Sequence, residues 1–212
     1  MRPRRGGGGG SAGAMYPFGG VKKGVVVGAN IVRPKLYAPV INDESTKTAE
    51  AFYACALASG VDHFIIFGGN YFTGFLKASP CWVIWDKQNS GNFADVEMAW
   101  TSFERGAKLY TFTWNGLSRQ GDRKTELATR VHPTQKPVGL FEQIFADFPF
   151  TICYDGFLGS GSTLIACEKT ARSCFVMELS PAYVDVIVNR WQQFTGKEAT
   201  LDGDGRTFAQ LA

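Results

Sequence analysis

Histidine is scarce in this chain of 212 residues, with two in all, and the five cysteines include no Cys-x-x-Cys pair. Neither histidine lies at ligand spacing from a cysteine, so the pattern of a zinc module is missing and no metal is expected. Cys55, Cys81, Cys153, Cys167 and Cys174 each sit in an apolar run, where free cysteine acts as a small core residue. No apolar run reaches the ~18 residues of a membrane-spanning helix, and no charged-then-apolar signal opens the chain. The expected setting is therefore the reducing cytoplasm, with no membrane partner. An excess of one charge is also lacking. There are 22 Lys+Arg against 19 Asp+Glu, a net +3, and Arg2, Arg4 and Arg5 equal that excess. A strongly basic nucleic-acid surface is thus not visible in bulk, which leaves a local basic groove.

What remains is the composition of a globular protein: 45% hydrophobic and 14% aromatic, at a length suited to one domain. Only the first residues depart from it. Residues 1–14 (MRPRRGGGGGSAGA) are basic and Gly-rich and cannot bury a core. They read as a disordered leader or a misassigned start, with Met15 as the beginning of a single domain over residues 15–212; a basic arm against DNA is the alternative.

Apolar runs then alternate with amphipathic stretches. Strands are predicted at 25–27, 63–67, 81–85, 93–100, 108–114, 151–154 and 173–177, and helices at 48–58, 71–78, 137–147, 162–170 and 181–194. Ser180 is the expected N-cap of the last helix. Residues 115–131 are polar and aperiodic and read as a surface loop. Strand–helix alternation with mostly continuous apolar strands implies an α/β fold with a sheet covered on both faces.

The segment 151–180, TICYDGFLGSGSTLIACEKTARSCFVMELS, carries the most chemistry. An apolar strand ends in Asp155, the run Gly156-Phe-Leu-Gly159-Ser-Gly161-Ser-Thr follows, and a helix opens. Glycines at the carboxyl end of a strand let the backbone turn tightly and approach a ligand. The next strand ends in Glu178, where doubly wound nucleotide-binding units place a carboxylate for ribose hydroxyls. The spacing is not G-x-G-x-x-G and no Gly-Lys-Ser/Thr occurs, so an adenosine ligand without a pyrophosphate fits better than a Walker cradle. The alternative is a plain Gly-rich turn. Upstream, His132-Pro-Thr-Gln-Lys-Pro137 is a Pro-bounded polar turn before a helix. It offers Thr134, Gln135 and Lys136 as donors to a carboxylate, with the helix N-terminus adding partial positive charge.

The glycine segment resembles the S-adenosylmethionine-binding motif Asp-x-Phe-x-Gly-x-Gly-Ser-Thr of DNA amino-methyltransferases, with Asp155, Phe157, Gly159, Gly161, Ser162 and Thr163 at its positions and Glu178 at the following acidic one. The hexapeptide 132–137 resembles the motif that precedes this loop in circularly permuted members, the β arrangement of N6-adenine and N4-cytosine enzymes. Residues 64–72 (FIIFGGNYF), 82–87 (WVIWDK), 92–100 (NFADVEMAW) and 114–119 (WNGLSR) look like the phage and prophage branch. The resemblance implies a doubly wound, mostly parallel seven-stranded sheet of Rossmann-like type. It also implies S-adenosylmethionine as cofactor, duplex DNA as substrate, adenine N6 ahead of cytosine N4 as target, and a restriction-modification or prophage setting. Thr134, Gln135 and Lys136 would hold the methionine end, and Gly68-Gly69-Asn70 would lie beside the active site; an Asn-capped helix start accounts for Asn70 equally. Trp82, Trp85, Trp100 and Trp114 read as core residues rather than base-stacking platforms.

Two features depart from the family. Its catalytic tetrapeptide, Asp/Asn/Ser-Pro-Pro-Tyr/Phe/Trp, belongs in residues 24–40 and is missing there. Asn30 and Tyr37 are candidate stand-ins at the wrong spacing; a degraded motif, a frameshift or a wrong start are the other readings, so the catalytic residues stay unknown. The segment between Trp100 and His132 is also short for target recognition. Its Lys108, Arg119, Arg123, Lys124 and Arg130 suit either phosphate contacts or a solvated loop, and selectivity could come from a homodimer. The rival function is a catalytically inactive cofactor- or DNA-binding remnant. Methylation of RNA or of protein amides stands third, disfavoured by the permuted motif order.

Overall fold

The computed structural model describes residues 44–89, 94–115, 118–119, 132 and 134–211. The expected strand at 25–27, the leader 1–14 and the stand-ins Asn30 and Tyr37 all lie outside the described residues.

The chain order is α1 (Lys47–Ala58), β1 (Ile65–Phe67), a 3₁₀ turn (Gly69–Tyr71), β2 (Trp82–Asp86), β3 (Val96–Thr101), β4 (Lys108–Thr111), β5 (Trp114–Asn115) and β6 (Ser118–Arg119). Then come α2 (Val138–Asp147), β7 (Ile152–Asp155), α3 (Ser162–Lys169), β8 (Ser173–Val176), α4 (Pro181–Thr195) and α5 (Phe208–Leu211). Most elements fall within a residue or two of their sequence prediction. The predicted helix at 71–78 is replaced by irregular turns after the 3₁₀ turn, with Gly74 inside the segment weakening a helix there. Asn70 lies inside that turn, whose cap position is Gly68, so it does not cap a helix. The predicted strand at 108–114 divides into β4 and β5.

A seven-stranded, mostly parallel sheet is not what the described strands form. They make a four-stranded sheet in the order β1-β3-β2-β4, a hairpin of β5 with β6, and a separate parallel pair of β7 with β8. Within the first sheet, β3 runs antiparallel to both neighbours and only β2–β4 is parallel. The short connection from β2 to β3 accounts for their antiparallel pairing: a parallel neighbour needs a crossover of a dozen or more residues, and an antiparallel one does not.

The core gathers where α2 meets β2 and β4. Val83, Trp85, Ala99, Tyr110, Phe112, Leu140, Ile144, Phe145 and Phe148 form one buried cluster. Along residues 109–112, Tyr110 and Phe112 are buried and Leu109 and Thr111 exposed, the alternation of a half-buried strand. Trp85 is buried and donates its indole N–H to the Phe112 carbonyl, while Trp100 donates to the Lys77 carbonyl. Both are core residues, as predicted. Asp147 closes the end of α2 by accepting from the Tyr110 hydroxyl at 2.7 Å and from Lys108 at 3.2 Å. Lys108 thus lies on β4, within the strand predicted at 108–114, and is paired with Asp147.

Two neighbouring rings on α1 reach different parts of the molecule. Tyr53 packs edge-on to Phe64 and Trp100, beside the four-stranded sheet. Phe52 packs on Tyr154 and Phe157, at the end of β7. On the β7–β8 pair α3 covers one face, and the other carries Ile152, Tyr154 and Phe175, exposed among the described residues.

Candidate cofactor site at the ends of β7 and β8

The parallel pair β7–β8 brings Asp155 opposite Val176, so Asp155 and Glu178 arrive at the same carboxyl edge. The glycine run turns there. Gly159 and Gly161 have φ of +58° and +85°, a region that side chains with a Cβ avoid, and Gly161 leads directly into α3. The Glu178 carboxylate accepts the Gly159 N–H at 2.8 Å with one oxygen and the Ser180 N–H at 2.9 Å with the other. A single carboxylate therefore fixes the glycine loop and the start of α4 together. Each oxygen keeps a further lone pair for a ligand hydroxyl. Ser180 occupies the N-cap position as predicted, but its side chain makes no capping bond; its N–H goes to Glu178.

Asp155 accepts the Phe157 N–H at 3.0 Å. Burial raises its carboxyl above the ordinary range, while donation from the Phe157 N–H and the Thr163 hydroxyl, and the charge of Lys136, act in the opposite direction. Phe157 itself is exposed, 56% of its surface open, with its ring edge-on to Phe52. Phe52 also rests on Gly156, where an added Cβ would fall 2.2 Å from the ring.

The predicted polar turn joins this loop through α3. The Ser162 hydroxyl donates to the Lys136 carbonyl at 2.7 Å, which ties the two motifs to each other. Gln135 is buried, and Thr134 is exposed with its N–H and hydroxyl at the His132 Nδ1, at 3.2 and 3.0 Å. The His132 ring packs on Tyr183 of α4 and beside Gly159. The Lys136 ammonium lies 3.7 Å from Glu97 and 4.7 Å from the centre of the Phe67 ring, at the end of β1. So the structure brings Asp155, Phe157, Gly159, Gly161, Ser162, Thr163, Glu178, Gln135, Lys136 and Thr134 into one neighbourhood.

Two contributors, Arg190 and Phe52, are not among the residues that the sequence singles out. Arg190 donates to the Ser160 carbonyl at 2.7 Å and reaches the Ser162 hydroxyl at 3.3 Å, bracing the loop from behind. It follows Tyr183 and Ile187 on the inner face of α4, at i, i+4 and i+7, so the helical period carried a signal for it. Phe52 carried none, because its role depends on tertiary packing, whereas His132 opens the hexapeptide already read from the sequence. The fold also gathers Cys153, Cys167 and Cys174, which the sequence scatters, to within 4.8 Å of one another at their ligand atoms.

The chemistry of this donor set is that of a zwitterionic nucleoside ligand. Two carboxylates suit hydroxyl and amine donors, a glycine turn permits close approach, and a helix N-terminus with a lysine suits a carboxylate. S-adenosylmethionine carries these complementary groups, so the residues present fit it.

Residues 69–189, more than half the chain, match the family model described as DNA methylase. Among solved structures, M1.HpyAVI in complex with SAM is 22% identical, with a TM-score of 0.41 over 60% of this chain and 74% of that one. TTHA0409 of Thermus thermophilus, complexed with S-adenosyl-L-methionine, is 19% identical, with a TM-score of 0.34 over 59% of this chain and 54% of that one. The chain thus spans about half of the latter. The extent of the family match, running from the end of β1 to α4 and enclosing both loop motifs, establishes that this chain belongs to the DNA methylase family.

Proposed function

We propose that this chain binds S-adenosylmethionine and transfers its methyl group to an exocyclic amine of a base in duplex DNA, adenine N6 ahead of cytosine N4. The observation that carries this reading is the pair of ties at one sheet edge, Glu178 to Gly159 and Ser162 to Lys136, which unite the two motifs. In this reading Glu178 accepts ribose hydroxyls and Asp155 lies beside the ligand. Phe157, Gly159 and Gly161 line the nucleoside, and Ser162 and Thr163 hold the turn into α3. Thr134, Gln135 and Lys136 serve the methionine end. The single domain over residues 15–212, the seven-stranded sheet, the permuted motif order, the prophage branch and a homodimer for target selection belong to the same proposal.

When bound, the cofactor supplies an electrophilic sulfonium methyl group. The target amine is a weak nucleophile because its lone pair is delocalised into the ring. Such a base has to leave the duplex stack, and the protein has to accept hydrogen bonds from its NH2. No described residue is assigned to that acceptor.

A second reading is favoured by one observation. Residues 24–40 contain no Pro-Pro dipeptide of the family's catalytic kind, which fits a remnant that binds cofactor or DNA without catalysis. Isothermal titration with S-adenosylhomocysteine tests the pocket. Binding that is lost in Glu178→Ala supports the site, and no heat at millimolar ligand overturns it for both readings.

A further inference from the structure

We propose that Cys153, Cys167 and Cys174 form a three-thiolate site for a soft metal ion, with Cu(I) the best-matched occupant.

The site is assembled by the same elements that carry the glycine loop. Cys153 on β7 and Cys174 on β8 are register partners in a parallel pair, so their side chains leave the same face side by side. Cys167 comes onto them from α3, which packs on that face. The three sulfurs lie within 4.8 Å of one another. Three sulfurs placed ~2.3 Å from a central ion in a trigonal plane stand about 4 Å apart. The cluster therefore matches the size of a metal–thiolate triangle with little rearrangement.

Ligand type decides the class of metal. An all-sulfur set selects Cu(I), zinc or iron–sulfur clusters over hard cations. Zinc in structural sites takes four ligands, and the described cluster offers three. Cu(I) accepts three.

Charge and access agree. Each thiol gives its proton to solvent on binding, so Cu(I) with three thiolates carries two negative charges. Arg172 acts electrostatically on Cys167 and offsets one of them, while Asp155 acts on the same thiol in the opposite direction. Its guanidinium is held there by the Phe145 and Phe150 carbonyls. A cleft of about 360 Å³ bordered by Glu168, Arg172, Cys174 and Phe175 reaches the cluster at Cys174.

Anaerobic titration of the full chain with Cu(I), in competition with a chromophoric chelator, tests the site. X-ray absorption at the copper edge of the 1:1 complex gives its ligands. The expected result is one Cu(I) per chain with a first shell of sulfur only. Cys153→Ser, Cys167→Ser and Cys174→Ser should each weaken binding by about tenfold or more, and Cys55→Ser should leave it unchanged. Absence of binding, nitrogen or oxygen donors in the shell, or undiminished affinity in the triple variant overturns the proposal. The absorption measurement needs no variant, so a substitution that fails to fold does not remove the test.

Discussion

Glu178 and Gly159 are joined by a hydrogen bond of 2.8 Å from the glycine N–H to one carboxylate oxygen, while the other oxygen holds Ser180. The carboxylate is therefore a brace as well as a prospective ligand group. Glu178→Gln keeps the shape but turns an NH2 toward one of two N–H donors. The expected loss is about 1–3 kcal/mol of stability, together with weaker S-adenosylhomocysteine binding. Urea denaturation and calorimetry on the same preparation check both. An unchanged midpoint would show that the brace contributes nothing.

Arg190 holds the same loop from α4 through the Ser160 carbonyl and the Ser162 hydroxyl. Arg190→Met keeps the apolar stem and removes both bonds, so a loss of about 1–3 kcal/mol is expected. Arg190→Lys should not restore it, since an ammonium cannot reproduce the planar fork. Denaturation midpoints of the two variants check this; full rescue by lysine would mean that charge alone matters.

Gly69 is fixed by space. A Cβ there would lie 2.4 Å from the Trp100 Cβ and 2.8 Å from its backbone nitrogen, and backbone cannot step aside. Gly69→Ala should destabilise by about 1–3 kcal/mol or more. Gly74→Ala is the matched control, because nothing lies within 4 Å of its Cβ position. It should change stability by less than about 0.5 kcal/mol. The difference between the two denaturation midpoints is the readout.

Asp147 and Tyr110 predict a pH dependence at both ends. The Tyr110 hydroxyl first, and Lys108 second, hold the Asp147 carboxyl below its ordinary range. A depressed carboxylate contributes stability above its unfolded pKa of about 3.9, and that contribution disappears as pH falls through the lower folded value. Burial, then the bond to Asp147, pushes Tyr110 well above its ordinary value. Above pH ~10 the unfolded tyrosine ionises while the folded one does not, so stability falls as pH rises. Tyr110→Phe should flatten both limbs relative to the parent chain. Stability measured against pH in the two proteins checks it; parallel curves would contradict the assignment.

Much of this was legible in the residues. Helical and strand periods located α2, α3, α4, β7 and β8, because those elements bury one face against a common core and local pattern follows burial. Strand direction was not legible: β3 alternates like any strand, and only its antiparallel pairing to β2 follows from their short connection. The binding loop was readable as glycine and carboxylate positions at strand ends. Its bracing by Arg190 was only half-readable, as an inward position on α4. The convergence of Cys153, Cys167 and Cys174 left no trace in spacing, since two parallel strands and the helix between them bring distant positions together.

The central claim is methyl transfer to DNA, and one measurement tests it most directly. The chain is incubated with S-adenosylmethionine labelled in the methyl group and with unmethylated duplex DNA, and the DNA is digested to nucleosides. Label is expected in the DNA, recovered as N6-methyl-2′-deoxyadenosine. Firm S-adenosylhomocysteine binding with no label in any nucleoside would contradict the transfer claim and leave the cofactor-binding remnant as the reading.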